Sequence, residues 1–297
     1  MEACKPKLFL HVGAPKTGTT TLQHACNASR QALLTRGILY PDVDLNPGPS
    51  PKHQWLTNLL LAEDLGTFGS NVQQVVDQAQ VTGASRVILS TEGLFNHWFD
   101  FPAVSRDALA ALQQHFDVTV WVVFREPVAW AMSMYVQAVK NPPFPLAPPY
   151  STTEPPESVI DHEYFVTRLQ YARFVQDAER LFGEGSVYPM RYESGDILDQ
   201  ARKYLDVDAT ILGSAGDKNR ALSVLGLELM RRLNRLRIPW QAREPLATAI
   251  IDLDRVLGAT SEPVRPSDEV RRMVLANSAE SERYLANRFG IAWDDVR

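Results

Sequence analysis

The residues best suited to chemistry lie in the stretch LFLHVGAPKTGTTTLQ, which runs from Leu8 to Gln23. An apolar segment leads into a glycine-rich turn and then into a helical pattern, an order typical of phosphate-binding loops. Backbone N–H groups and the positive end of the helix dipole in such a turn attract an anion. The pattern therefore predicts an anion-binding loop. The residues that we expect to build it are Gly13, Lys16, Gly18, Thr19 and Thr20.

The position of the lysine separates this loop from the usual nucleoside triphosphate loop. In that loop a lysine follows the second glycine, and the next Ser or Thr binds magnesium. Here Thr19 follows Gly18, and the lysine comes earlier, at Lys16. No apolar strand ends in an obvious magnesium-binding aspartate. Both features weaken the interpretation of the chain as an ATP- and magnesium-dependent phosphotransferase, which we keep as the alternative.

A second anion site is predicted by VTVWVVFREPVAWAMSMY. Val118–Phe124 has the pattern of a buried strand, and Arg125 comes directly after it. Pro127 suits the first turn of a following helix. Ser133 lies eight residues beyond Arg125, about two helical turns, and so faces back toward the strand end. A guanidinium and a hydroxyl there suit a phosphate monoester, and two anion sites at one sheet edge suggest a nucleotide with phosphates at both ends.

Together, HVGAPKTGTTTLQ and FREPVAWAMSMY resemble the sulfotransferases that use 3′-phosphoadenosine 5′-phosphosulfate (PAPS), above all their soluble bacterial branch. In that family the first loop holds the 5′-phosphosulfate, and an arginine with a serine eight residues later holds the 3′-phosphate. The resemblance covers about residues 7–192. The matching residues are Lys16, Thr17, Gly18, Thr19 and Thr20 in the first motif and Arg125 and Ser133 in the second.

The resemblance also implies the remaining binding partners. PAPS would be the co-substrate and 3′,5′-ADP the product, and no metal would be required. The stretch GDKNRALSVLG is similar to a late basic loop of the family, which implies that Lys218 and Arg220 reach the 3′-phosphate. The acceptor would be a hydroxyl or amine of a small molecule, a lipid or a glycan.

Two residues compete for the role of general base. Glu92 follows the strand RVILS at about the place where cytosolic members of the family carry a histidine, and glutamate bases occur in the glycan-modifying branch. His53 has a side chain whose usual pKa, near 6.5, suits a base at neutral pH. Lys16 is expected to stabilise charge on the departing phosphate. If neither Glu92 nor His53 lies near the loop, a non-catalytic nucleotide-binding module is favoured.

Five strands alternate with helices, which predicts a P-loop-like three-layer α/β/α fold with a central parallel sheet and ligands at the carboxyl ends of its strands. The predicted strands are Leu8–Val12, Ile38–Tyr40, Arg86–Ser90, Val118–Phe124 and Ser186–Tyr192. The predicted helices are Thr19–Thr35, Val72–Gln80, Ser105–His115, Val128–Lys140, Tyr164–Leu181, Leu222–Leu236 and Asp268–Phe289.

The domain organisation follows from length and composition. We expect one domain over residues 1–297, with a proline-rich loop or insertion at about 141–160 and a helical part at about 220–297. Seven of the 20 prolines fall between Asn141 and Pro156, so this segment is expected to form neither regular helix nor central strand.

The composition also limits the setting. A net charge of −5 argues against nucleic-acid binding. Two cysteines cannot form a disulfide framework, and no long apolar run or signal-peptide core occurs, so a cytoplasmic protein without a membrane span is expected. The spacing of cysteines and histidines shows no zinc site. The oligomeric state cannot be inferred.

Overall fold

A computed structural model describes residues 5–45, 51–193, 197–213, 222–236, 238–257 and 264–293. The chain divides into two compact units. The first consists of Met1–Arg125 and Ala172–Asp217, and the second of Glu126–Tyr171 and Lys218–Arg297. The single-domain organisation remains a prediction.

The first unit contains a five-stranded sheet in which every pairing is parallel. The strands are β1 (Lys7–His11), β2 (Ile38–Leu39), β3 (Arg86–Ser90), β4 (Asp117–Phe124) and β5 (Val187–Arg191). Their order is β2-β3-β1-β4-β5. The predicted α/β fold with a central parallel sheet flanked by helices is confirmed.

The helices of the first unit connect these strands. They are α1 (Thr19–Ala28), α2 (Arg30–Leu34), α3 (Trp55–Leu61), α4 (Leu65–Thr82), α5 (Gly93–Asn96), α6 (Ala103–Ala110) with a 3₁₀ turn (Ala111–Gln114), α10 (Tyr171–Phe182) and α11 (Ile197–Leu205). The first residue of α10, Tyr171, belongs to the second unit. Those of the second unit are α7 (Pro127–Lys140), α8 (Pro156–Ile160), α9 (Glu163–Arg168), α12 (Val224–Asn234), α13 (Trp240–Leu257) and α14 (Asp268–Phe289).

A hydrophobic core on one face of the sheet packs α1 against β1 and β4. Phe9 of β1 and Trp121 of β4 pack there with Leu22 of α1 and Ile197 of α11. Cys26 of α1 is buried in the same cluster, and burial raises the pKa of its thiol to about 12. Because apolar burial is the main stabilising term in folding, this cluster holds the start of α1 firmly against the sheet.

Two predicted helices are each divided in the structure. The segment Thr19–Thr35 breaks at Ser29, where φ is −99° and ψ is 14°, and α2 then begins at Arg30. The segment Tyr164–Leu181 breaks after Arg168, and α10 begins at Tyr171. Periodicity alone predicted both as single helices because the apolar pattern continues across the breaks.

In the second unit, α7 begins with a well-formed cap. The Glu126 carboxylate accepts hydrogen bonds from the backbone N–H groups of Val128 (2.9 Å) and Ala129 (2.5 Å), and Pro127 occupies the first turn. These contacts satisfy N–H groups that have no partner within the helix. The start of α7 is therefore fixed by its own sequence.

Residues 141–155 of the predicted proline-rich segment form turns and one isolated bridge between Phe144 and Ala147, as the composition predicts. The last five residues of the predicted segment instead form the helix α8. The end of the irregular part is held by side chains of α12. Arg231 donates to the carbonyl of Thr153 through Nε (3.1 Å) and Nη2 (2.9 Å), and Asn234 donates to the carbonyl of Thr152 (3.0 Å). No helix among the described residues is both long and apolar enough to span a membrane.

Candidate functional site

The loop after β1 continues the sheet before it turns into α1. The N–H groups of Val12 and Ala14 donate to the carbonyls of Trp121 (3.0 Å) and Val123 (3.1 Å) on β4. The chain then enters the left-handed region at Lys16, with φ of 70°. A left-handed backbone costs a residue with a Cβ roughly 1 kcal/mol, and such outliers cluster at functional sites. The loop thus holds its lysine in a strained conformation.

The two glycines of the loop are required by its geometry. A Cβ on Gly13 would lie 3.1 Å from Nε2 of His11 and 3.2 Å from Oγ1 of Thr17. Gly18 has φ of 79°, and its Cβ would lie 3.0 Å from Cγ2 of Ile197. A side chain at either position would therefore crowd its neighbours, and at Gly18 it would also strain the backbone, so glycine lets the loop stay close to whatever it binds.

The threonine side chains of the loop differ in their hydrogen bonding. Thr17 is buried, and its hydroxyl donates to the carbonyl of Ala14 at 2.6 Å, so it closes the turn. Thr19 is also buried, and its Oγ1 has no hydrogen-bond partner among the described residues. Thr20 is half-buried. The N-terminus of α1 thus combines a free hydroxyl with the N–H groups of its first turn, an arrangement suited to an anion.

The structure brings Arg125 and Lys16 together. Nη1 of Arg125 donates to the carbonyl of Lys16 at 3.0 Å, and the guanidinium lies 5.5 Å from the ring centre of Tyr192. A hydrogen bond from a charged donor typically contributes about 1.5–3 kcal/mol, enough to offset the strain at Lys16. The cation at the end of β4 therefore supports the backbone of the loop after β1.

Glu92 follows β3 at the same edge of the sheet. Its half-buried carboxylate lies 3.6 Å from Nζ of Lys52. The preceding residue, Thr91, donates its hydroxyl to Oε1 of Gln54 (3.2 Å) and accepts from the N–H of Gly93 (3.2 Å). Since β1 lies between β3 and β4 in a parallel sheet, Lys16, Glu92 and Arg125 all follow adjacent strand ends.

His53 is held in the interior by both ring nitrogens. Nδ1 accepts from the N–H of Ser90 (3.0 Å), so Nε2 carries the proton and donates to the carbonyl of Pro41 (3.0 Å). The side chain is fully buried, and burial lowers its pKa to about 4. Neither nitrogen is available to an acceptor substrate, so the geometry gives His53 a structural role.

Three predicted site residues lie outside the described part of the first unit. Ser133 is half-buried on α7 in the second unit. Lys218 and Arg220 lie outside the described residues. Sequence reasoning missed Lys52, which follows β2 and lies 3.6 Å from the Glu92 carboxylate. Nor did it predict that the ring of Tyr192, at the end of the predicted strand Ser186–Tyr192, lies 5.5 Å from the Arg125 guanidinium.

The aromatic residues near Glu92 belong to the core and do not line an open pocket. Trp55, Phe95 and Trp98 are each 3% exposed. Phe95 and Trp98 both pack against Phe174 of α10, with ring centres 5.0 and 4.9 Å away. Phe99 is covered by the guanidinium of Arg173, 4.4 Å from its ring centre.

No protein-family model matches this chain, and no curated protein matches its sequence. Within the described ranges, no three His, Cys, Asp or Glu side chains come together as a potential metal site. A function for this chain therefore has to be inferred from the residues of the site itself.

Proposed function

We propose that this chain is a sulfotransferase that moves the sulfuryl group of PAPS to a hydroxyl or amine of a small-molecule, lipid or glycan acceptor. The proposal includes the cytoplasmic setting that its cysteine content predicts. The observation that carries it is the 3.0 Å hydrogen bond from Arg125 to the carbonyl of Lys16. The two cations that a doubly phosphorylated nucleotide needs lie at adjacent strand ends in one compact unit.

The residues of the loop fit the 5′ end of this donor. The glycine positions let backbone N–H groups approach an oxyanion, and the unpartnered hydroxyl of Thr19 is a further donor. Arg125 would bind the 3′-phosphate. The family resemblance assigns Ser133, Lys218 and Arg220 to the same phosphate, and that assignment stays a prediction. Tyr192, in contact with the guanidinium, would limit the directions in which Arg125 can turn.

Transfer would proceed in line through the sulfur atom. The acceptor oxygen or nitrogen forms a bond to sulfur while the bond from sulfur to the 5′-phosphate oxygen breaks. The electron pair of the broken bond goes to that phosphate oxygen, where the Lys16 ammonium offsets the new negative charge. The proton of the acceptor goes to the carboxylate of Glu92. His53 is left out of this set because both of its ring nitrogens are bonded in the interior.

Calorimetric titration without metal tests the nucleotide. We expect wild-type protein to bind 3′,5′-ADP more tightly than ATP, and Arg125→Met to weaken 3′,5′-ADP by about 10- to 100-fold. Since Arg125 also holds the Lys16 carbonyl, 5′-AMP should weaken too, but less. Arg191→Met is the matched control, because Arg191 is also a strand-end arginine of the first unit. Tighter binding of magnesium-ATP, with its turnover, would instead establish the phosphotransferase alternative.

Glu92→Gln tests the base. A positioned base contributes about 10²–10⁴-fold to the rate, so kcat should fall by that factor while 3′,5′-ADP affinity changes little. Lys52→Met is the control, since it removes the ion-pair partner and keeps the carboxylate. Full activity of Glu92→Gln would exclude Glu92 as the base.

A further inference from the structure

Ser90, the last residue of β3, connects four segments beneath the candidate site. Its backbone N–H and carbonyl bond to Nδ1 (3.0 Å) and the N–H (2.9 Å) of His53. Its Oγ lies 2.8 Å from Nδ1 of His11 and accepts a hydrogen bond from the Gln23 amide at 3.1 Å. Ser90 is 1% exposed and precedes Glu92 by two residues. This buried network therefore links β1, α1 and the chain before α3 to the segment that carries Glu92.

His11 and Ser90 share one hydrogen bond. A serine hydroxyl has one donor and two acceptor sites, so Oγ of Ser90 can accept from the Gln23 amide and still pair with Nδ1 of His11 in either direction. The ring is thus tied to Ser90 through Nδ1 in both tautomers. Full burial lowers the pKa of His11 to about 3, which keeps the ring neutral at physiological pH.

The other side of the ring lies against the anion-binding loop. Nε2 of His11 and Oγ1 of Thr17 lie 3.1 Å and 3.2 Å from the point where a Cβ on Gly13 would sit. Thr17 donates its hydrogen to Ala14, so its oxygen can still accept one. Nε2 is fully buried and has no hydrogen-bond partner among the described residues. Buried polar atoms are rarely left unpaired, and those that are call for an explanation.

We propose that His11 is a positioning residue that joins the loop carrying Lys16 to the segment carrying Glu92. Its Nδ1 side is hydrogen-bonded to Ser90, and its Nε2 side packs against the loop at Gly13. The inference rests on the proposed function only for the roles of Lys16 and Glu92. In-line transfer needs the leaving group and the base in a fixed relation, and a single rigid ring that contacts both segments supplies it.

Two variants separate the two sides of the ring. His11→Asn places an amide near the position of Nδ1 and removes the group at Nε2. His11→Gln places its amide near the position of Nε2 and loses the bond to Ser90. Both replace a buried ring by a smaller polar side chain, so a general loss of packing should affect them alike.

Amide hydrogen exchange of the ligand-free protein is the first measurement. We expect His11→Asn to speed exchange at residues 13–19 by about 10-fold or more and to leave residues 91–93 within about 3-fold of wild type. His11→Gln should do the reverse. Equal acceleration of both segments in both variants, or no change in either, would overturn the proposal. If a variant does not fold, Ser90→Ala replaces His11→Gln and Thr17→Val, which removes the oxygen beside Gly13, replaces His11→Asn, with the same readout.

Kinetics with PAPS is the second measurement. Both variants should lower kcat by about 10-fold or more, and only His11→Asn should also raise the KM for PAPS. If wild-type protein does not bind 3′,5′-ADP, the proposed function fails, but the exchange measurement still decides the role of His11. If the nucleotide binds and the two exchange patterns coincide, the role of His11 fails alone.

Discussion

The candidate anion-binding loop and the proline-rich segment are both irregular and both fixed, but by different means. Residues 12–18 are held mainly through their own backbone, with ladder bonds to β4, positive φ at Lys16 and Gly18, and one bond from Arg125. Residues 151–154 are held by side chains far away in sequence. Arg231 and Asn234 of α12 donate to its carbonyls, and Arg243 of α13 donates to Ser151.

The difference shows what each arrangement leaves available. A loop that is shaped by its backbone leaves side-chain donors such as the Thr19 hydroxyl for a ligand. A segment anchored mainly through its carbonyls suits a stretch rich in proline, which has no backbone N–H. The first arrangement can bind, and the second holds a long connection in place. Four changes test this comparison.

Lys16→Gly should have the largest effect, and on activity alone. Loss of the ammonium should lower kcat by about 10²–10³-fold. Glycine adopts the φ of 70° without strain, so the melting temperature should stay equal or rise. Lys16→Met, which keeps the strain, should lose the same activity without a gain in stability. A clear drop in melting temperature for Lys16→Gly would show that Lys16 is there for structure.

Acid should weaken the first unit through its two buried histidines. The pKa values of His11 and His53 are lowered to about 3 and about 4, so the unfolded chain binds more protons below its pKa near 6.5. The contribution of the two neutral histidines to the free energy of unfolding is therefore fully present above about pH 6.5 and decreases as the pH falls toward these values. The expected loss between pH 7 and pH 5 is about 2 kcal/mol for each histidine.

Urea unfolding at the two pH values measures this loss. His53→Gln should reduce the difference between pH 7 and pH 5, although it lowers stability at both. His24→Gln, on the exposed face of α1, is the control. If the free energy of unfolding of His53→Gln depended on pH as strongly as that of the wild type, His53 would not be buried as a neutral ring.

Gly18→Ala should destabilise the protein by about 2–3 kcal/mol. About 1 kcal/mol comes from the left-handed backbone, and the rest from the contact with Ile197, 3.0 Å from the new Cβ. Gly83→Ala is a matched control, because Gly83 has φ of 65° and nothing within 4 Å of its Cβ position. Equal losses at the two sites, measured by urea unfolding, would mean that the loop yields to the added methyl group.

Asn234→Ala should have the smallest effect, and on stability alone. It removes the donor to the carbonyls of Val139 (2.9 Å) and Thr152 (3.0 Å), which should cost about 1–2 kcal/mol. Affinity for 3′,5′-ADP in calorimetry should not change. Asn287→Ala, at an exposed site on α14, should change neither quantity. Weaker nucleotide binding by Asn234→Ala would show that the anchored segment takes part in the site.

Sequence predicted the fold best where one local signal was sufficient. The apolar runs of β1, β3 and β4 placed those strands within a residue or two, and α14 was predicted at its observed ends. Helix α13 was missed because Pro245 lies inside it and proline usually ends a helix. Helix α4 starts seven residues before its predicted start, where Gly66 and Gly69 weaken the helical pattern.

For the candidate site, sequence identified the residues of the loop but not their contacts. The burial of His53 depends on Ser90, which is 37 residues away, and the bond from Arg125 to Lys16 spans 109 residues. Contacts of this kind arise from strand order, which local patterns do not specify. A pKa near 6.5 therefore made His53 a reasonable candidate base until its partners were known.

The buried thiol of Cys26 has a practical consequence. With its pKa near 12 and no access to solvent, it cannot be alkylated at neutral pH until α1 separates from the sheet. In a chain whose other cysteine, Cys4, is replaced by serine, the rate at which the Cys26 thiol is alkylated would measure how fast the core beneath the candidate anion-binding loop opens. Slower labelling with a bound nucleotide would then report occupancy of the loop without any enzymatic assay.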